Sequence, residues 1–169
     1  MLQLRFDEIE NIASRYDCPD EEIRLIDLKG AIAERGFLTK DDLRQVAKWK
    51  SPRSAGHVEK NQPAFLEEIT LFTFGADNER SRIEVLTLLD GVSWPTASVI
   101  LHLFHRDKYP ILDFRALWSA SSDVPAQYDF PFWWSYVEFC RDVADKLRVD
   151  MRTLDRAMWQ HSKENQPKG

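Results

Sequence analysis

The chain has two cysteines, six glycines and no long apolar run among its 169 residues. Each shortage closes off a class of protein. Cys18 and Cys140 are far apart and show no metal-type spacing. Two buried thiols in a reducing cytoplasm are expected, with a single disulfide as the alternative. No stretch approaches the roughly 20 apolar residues a membrane-spanning helix needs. The N-terminal MLQLRFDEIENIASRYD is charged from its fifth residue and offers no signal-type apolar segment. Period-2 alternation is scarce, so no substantial sheet is expected. Positive charge is in deficit: 28 acidic side chains against 23 Lys and Arg leave a net charge of −5. That balance argues against a surface coated for non-specific nucleic-acid binding, though not against a local basic face. What remains is 43% hydrophobic and 12% aromatic. This is enough to build a core and excludes wholesale disorder, and the length suits one domain or two small lobes.

The charge is unevenly placed. Residues 48–60, KWKSPRSAGHVEK, carry four basic and one acidic side chain; residues 106–115, RDKYPILDFR, carry three and two. Both stretches lie in an acidic background. If folding joined them they would make one phosphate-facing surface. Two solvated loops are the simpler reading of charge alone.

Nearly every segment reads as helix. Residues 20–35 space Ile23, Ile26, Ala31 and Ile32 helically, with Gly36 as a stop. Thr39 before Lys40-Asp41-Asp42 is an N-cap signal for a helix to about Lys50. Pro63 suits the first position of a helix ending at Gly75, and Asn78 caps a helix with Ile83, Val85, Leu86, Leu88 and Leu89 as its apolar positions. Further helices are expected after Pro95, over 132–147 and over roughly 150–161. There is no internal repeat and no long linker, and SKENQPKG reads as a disordered tail.

The informative stretch runs from Ile83 to Trp118. A helix ends at Leu89-Asp90-Gly91-Val92 and a second begins two or three residues later. Glycine is needed where a chain reverses with positive φ or no room for a side chain. The amides of the bend and of the new helix have no intrahelical partners, so they can receive a phosphate oxygen or share a cation with it. Such contacts hold nucleic acid by its backbone without reading sequence.

This stretch resembles the helix-hairpin-helix superfamily of base-excision DNA glycosylases, which includes the endonuclease III, alkyl-adenine and 8-oxoguanine enzymes. The family pattern is a Leu-Pro-Gly-Val-Gly-like hairpin, a helix opening on small residues, and a loop ending in Pro-hydrophobic-Asp. Here Leu89-Asp90-Gly91-Val92-Ser93 stands for the hairpin, Thr96 and Ala97 for the small residues, and Tyr109-Pro110-Ile111-Leu112-Asp113 for the loop. The likeness covers about 35 of 169 residues. It implies that Asp113 is the carboxylate that stabilises charge developing on the sugar and activates water, acting on a base flipped into a pocket between lobes. By residue preference alone, Asp113 before FRALW is also a plain helix N-cap, and the two roles are compatible. The chain departs from the pattern in three places. Pro95 falls where bifunctional relatives carry a Schiff-base lysine, which implies a monofunctional enzyme. Ser93 replaces the second hairpin glycine; its side chain is available to cap the second helix. The four-cysteine iron–sulfur motif is absent.

Other residues read two ways. Trp94 on the hairpin either stacks on DNA or lines a base pocket, or packs on its neighbouring helix. Lys48, Trp49, Lys50 and Arg53 either bind a strand by charge and stacking or simply close a helix. His102 and His105 lack the further ligands a metal site needs. Tyr128-Asp129-Phe130-Pro131-Phe132-Trp133-Trp134 reads as inter-helix packing, part of which would suit a pocket wall. Arg152, Arg156 and Trp159 read as structural.

The sequence therefore points to an all-α, multi-helix fold with a helix-hairpin-helix motif near residues 83–104. Residues 1–161 form one helical domain, or two lobes around a cleft, before a disordered tail at 162–169. The expected function is monofunctional hydrolysis of the N-glycosidic bond of a damaged or modified base. Asp113 is the catalytic group. Gly91, Val92, Ser93, Lys48, Lys50 and Arg53 hold the DNA backbone, and Trp94 and Trp49 provide stacking or a base pocket. The expected partner is duplex DNA, with no membrane, no metal, a cytoplasmic location and no cofactor beyond a monovalent cation at the hairpin. A non-catalytic DNA-binding module and a protein-interaction domain are the other two readings.

Overall fold

A computed structural model describes residues 2–167. The α-helices among them are α1 (Ile9–Ser14), α2 (Asp20–Asp27), α3 (Lys29–Arg35), α4 (Lys40–Lys50), α5 (Pro63–Gly75), α6 (Glu79–Glu84), α7 (Trp94–Phe104), α8 (Phe114–Ser119), α9 (Phe130–Leu147) and α10 (Met151–Asn165). Short 3-10 turns occupy Phe6–Glu8, Ala55–Lys60 and Val85–Leu88, and there is no strand among the described residues. The fold is all-α. No described helix is long and apolar enough to cross a membrane. The chain divides into two compact units, one made of Met1–Asp17 with Lys108–Gly169 and the other of Cys18–Asp107.

In the unit formed by Cys18–Asp107, α7 is the centre. Its sequence WPTASVILHLF is apolar nearly all round, and a helix of that kind must be enclosed. Thr96 through Leu101, Leu103 and Phe104 are buried, and α3, α4 and α6 pack against it. The helix starts follow local chemistry. Thr39 and Asp42 form a capping box: Asp42 N donates to Thr39 Oγ1 at 3.2 Å and Thr39 N to Asp42 Oδ2 at 2.8 Å. Pro63 occupies the first position of α5, and Asn78 caps α6 by accepting from Ser81 N at 3.0 Å.

Two local expectations for this unit need correction. Residues 20–35 form two helices broken at Leu28, and Ile23 and Ile26 lie 47% and 41% exposed. The buried residues are Glu22 and Leu25 on α2 and Ile32 on α3, so of the expected apolar positions Ile32 is buried and Ile23 and Ile26 are not. The helix before the hairpin also stops early. After Glu84 it tightens into the 3-10 turn Val85–Leu88, which leaves Leu88 62% exposed instead of on a buried face.

In the other unit α10 packs against α1, α8 and α9. Its core includes Ile9, Ile12, Leu117, Trp133, Val137, Cys140, Leu154 and Met158. The expected tail boundary at residue 162 is displaced, because α10 runs to Asn165. Ser162 is buried and donates to Gln166 Oε1 at 2.6 Å, and Arg15, the residue after α1, pairs with Glu164 at 2.8 Å. That pair and Gln160 hold the Glu164 carboxyl down at about 2. The rest of the expected tail beyond Pro167 lies outside the described residues. No disulfide joins the cysteines: Cys140 is a buried thiol whose burial raises its pKa, whereas Cys18 is half-buried rather than buried.

His105 ends α7 and is buried. Its Nδ1 accepts from Asp107 N at 2.9 Å, which requires that nitrogen to be unprotonated. Burial, then the nearby Arg82 charge, lower its pKa, while Asp107 opposes them. The unfolded chain therefore binds a proton that the folded chain refuses, and stability is lost as pH falls through about 6.5, the ordinary imidazole value. Burial of His161 acts in the same direction. Thermal melts between pH 7.5 and 5.5 are expected to show a falling midpoint, with a shallower fall in His105→Asn. An unchanged slope in that variant would refute the assignment.

Candidate nucleic-acid interface and candidate catalytic acid

The hairpin lies in the Cys18–Asp107 unit. Gly91 sits at φ +81, in the left-handed region. A Cβ there would lie 3.0 Å from Val58 N and 3.1 Å from Ser54 O, so the bend is pressed onto the Ala55–Lys60 turn with no room for a side chain. Asn61, at the end of that turn, is buried and grips Asp90 at both backbone atoms. Asp90 N donates to Asn61 Oδ1 at 2.9 Å, and Asn61 Nδ2 donates to Asp90 O at 2.9 Å and to Val58 O at 3.0 Å.

The three expected phosphate-binding amides are not equivalent. Val92 N donates to Leu89 O at 3.1 Å and is spent inside the bend. The Gly91 and Ser93 amides show no protein acceptor among the described residues. Ser93 is the N-cap residue of α7, but its side chain makes no capping bond, contrary to the role open to it from sequence. Trp94 is the first residue of α7 and is half-buried, with Pro95 next to it. No lysine occurs from Leu89 to Phe104.

The basic segment runs into the same structure. Lys48 and Lys50 lie in the last turn of α4, with Lys48 exposed and Trp49 half-buried, and Arg53 is exposed in the following turn. Ser51, which ends α4, places its Oγ 3.3 Å from Thr96 Oγ1 in the first turn of α7. Ser54, next to Arg53, carries the carbonyl that faces Gly91. The segment's own acid, Glu59, is neutralised from outside it: Arg44 binds both carboxylate oxygens, at 2.6 and 3.1 Å, and holds its pKa low. Lys50 and Arg53 are thus chain neighbours of Ser51 and Ser54, which meet the first turn of α7 and the bend, and Lys48 lies one turn earlier in α4. Asp90 is exposed at the bend and opposes them.

Asp113 belongs to the other unit. It is the N-cap of α8, half-buried, and its Oδ1 accepts from Arg115 N at 2.9 Å. The loop leading to it is held along its whole length. Arg141 Nε donates to Lys108 O at 2.8 Å, and its guanidinium lies 4.8 Å from the Tyr109 ring. Tyr109 stacks on Trp133 at 5.7 Å. Ile111 N donates to Asp155 Oδ1 at 3.1 Å, and Tyr136 OH donates to Ile111 O at 3.4 Å. Asp155 is buried and anchored by Arg152 at 2.8 Å. Tyr128 lies close enough for the Asp113 charge, after burial, to raise its phenol pKa. In the aromatic run, Trp133 is fully buried, whereas Phe132 lines a cavity of about 150 Å³ with Tyr136 and Phe139.

No protein-family model and no curated protein matches the chain. A solved structure does: the Methanocaldococcus jannaschii 8-oxoguanine glycosylase/lyase in complex with a 15mer DNA containing 8-oxoguanine. The TM-score is 0.53 at 18% identity, over 96% of this chain and 82% of that one. The two proteins share a fold. Within that fold, sequence reasoning missed Asn61, Asp155, Tyr136 and Arg141, which hold the hairpin and the Asp113 loop. Asn61 gave no signal, because it acts on a residue 29 positions away. The Arg152/Asp155 pair at i,i+3 was visible, but its target was not.

Gly91→Ala is expected to destabilise by about 2 kcal/mol or more, from the left-handed backbone and the collision with Val58 N together. Gly36→Ala is the control. Gly36 also has φ +81, but its Cβ would meet only the flexible Leu71 Cδ1 at 3.4 Å, so about 1–2 kcal/mol is expected. Denaturant midpoints check the order; equal costs would show that the close approach at Gly91 is unimportant.

Proposed function

We propose that this protein is a monofunctional DNA glycosylase that hydrolyses the N-glycosidic bond of a damaged or modified base. The reading is carried by the hairpin: a left-handed Gly91 whose own amide and that of Ser93 are unspent, packed on Ser54 and Val58 of the segment that also carries Lys48, Lys50 and Arg53. Its support is the fold shared with a glycosylase solved on DNA. The Gly91 and Ser93 amides take a phosphate oxygen, and the lysines and arginine supply field around it. The Asp90 carboxylate favours a cation shared between bend and phosphate.

In the reaction the bond between C1′ and the base nitrogen breaks, water oxygen bonds to C1′, and the water proton passes by way of Asp113 to the departing base. Asp113 stabilises the positive charge on the sugar while that bond opens. No lysine in the hairpin or α7 offers an amine for an imine step, so strand cleavage is not expected.

Asp113→Asn separates chemistry from capping, because asparagine caps a helix as well as aspartate does. Base release from duplexes bearing a panel of lesions and modified bases is expected to fall by about 10²-fold or more, with the melting temperature preserved. Full activity in that variant would end the catalytic assignment. The capping bond from Arg115 N to Asp113 gives a second reading some weight, that of a DNA-binding module without catalysis. Wild-type protein that shifts duplexes yet releases no base would establish it. Failure to shift DNA at low salt would turn attention to a protein partner.

Duplex affinity should fall with salt at a log–log slope of about −3 if Lys48, Lys50 and Arg53 each neutralise one phosphate. Replacing all three with glutamine should flatten the slope towards zero. A slope that does not change would remove them from the interface.

A further inference from the structure

Asn61 does more than tie two loops together. The Asp90 carbonyl and the Gly91 N–H belong to one peptide group, and no peptide bond among the described residues is cis. In a planar trans peptide the C=O and N–H point in opposite directions. Asn61 Nδ2 holds the Asp90 carbonyl at 2.9 Å from a buried position. The Gly91 N–H is therefore directed away from Asn61. The second bond, from Asp90 N to Asn61 Oδ1 at 2.9 Å, stops the preceding peptide from rotating. The third, to Val58 O at 3.0 Å, fixes the amide side chain to the turn against which Gly91 packs. A hydrogen bond accepted by a carbonyl also polarises its peptide and makes the N–H on the other side a stronger donor.

We infer that Asn61 is a positioning residue for phosphate: it aims and polarises the Gly91 amide. This rests on the proposed reading of the hairpin as a DNA contact. Asn61 touches no nucleic acid itself; it acts through the peptide between Asp90 and Gly91. The contact it prepares is a neutral donor to an anion and releases no counterion.

The test follows the Gly91 amide by ¹⁵N–¹H NMR while the full-length protein is titrated with an unmodified 15-base-pair duplex, alongside equilibrium binding at several salt concentrations. In wild type the Gly91 amide proton should move downfield as duplex binds. Asn61→Ala should lose that shift and bind about tenfold more weakly, the loss of one charge-assisted hydrogen bond, with an unchanged salt slope. Asn61→Asp gives a pH-dependent measurement, taken over the pH range in which its spectrum shows it fully folded. Its ionised carboxylate sets negative oxygens against the carbonyls of Asp90 and Val58, whereas its protonated form restores one donor and one acceptor. The ratio of its Kd to that of wild type should therefore shrink as pH is lowered. Asn61→Ala and Asn61→Asp binding within twofold of wild type, or a pH-independent ratio for Asn61→Asp, would overturn the inference. Wild-type protein that binds no duplex at low salt would overturn the hairpin reading and this inference together; normal wild-type binding with indifferent variants would overturn only the role of Asn61.

Discussion

The contact on which the hairpin unit depends is a meeting of backbones: Gly91 against Val58 N and Ser54 O. Only glycine permits it, for lack of a Cβ and for its left-handed φ. Once made, it places the Ala55–Lys60 turn of the basic segment directly under the bend before α7. Asn61 then satisfies both polar backbone atoms of Asp90, which would otherwise compete with the helix ends for partners. The result is a bend fixed on its inner side, with Val92 N closed onto Leu89 O and the Gly91 and Ser93 amides left over. A bend held by weaker means would turn those amides inward to find acceptors.

The loop before Asp113 reaches a comparable fixity by side chains. Three of its backbone groups are held by side chains: Ile111 N by Asp155, Ile111 O by Tyr136 and Lys108 O by Arg141. Tyr109, Pro110, Ile111 and Leu112 are buried, so the carboxylate at the loop's end is set by an apolar anchor. Each of these supports comes from α9 or α10, far along the chain. Asp155 is the most exacting of them. A buried carboxylate needs its charge answered, and Arg152 one turn earlier does so at 2.8 Å while the other oxygen receives Ile111 N. An N-cap aspartate on a mobile loop would serve α8 equally well; the extra anchoring is more than capping requires.

What could be read from sequence was what is local. Thr39 with Asp42, Pro63 and Asn78 each act within one turn, so residue type and spacing locate them. Gly91 was legible for the same reason, since a bend between two apolar helices needs positive φ. The errors came from neighbours that spacing does not reveal. Ile23 and Ile26 fit a helical pattern with Ile32, yet of the three only Ile32 is buried, and Leu25 takes the core position on α2. The tail at 162 looked disordered because its composition is polar, but Arg15, from the far end of the chain, pairs with Glu164. The partners of the candidate site were the least visible: Asn61 reaches across 29 residues to Asp90 and Asp155 across 44 to Ile111. Single polar residues at such distances carry no periodic signature.

On the proposed reading of the hairpin, the acidic balance of the chain bears on how it would hold an anion at all. Lysine and arginine act over about a Debye length, roughly 8 Å at physiological salt, and weaken as salt rises. Peptide amides act only in contact, but salt barely screens them there and they cost the protein no charge. With a net charge of −5, cations spread over the surface would spend their field on the protein's own carboxylates. Concentrating Lys48, Lys50 and Arg53 in one short segment, with Glu59 of that segment already answered by Arg44, lessens that loss. The remaining carboxylate at the site, Asp90, has its backbone held by Asn61, so the residue that carries the unfavourable charge is also the one whose peptide group aims the Gly91 donor. Discrimination at this bend then depends on a ligand able to meet an amide and tolerate a carboxylate. A phosphodiester with an associated cation meets both conditions; an unpaired anion drawn by charge alone meets only the first.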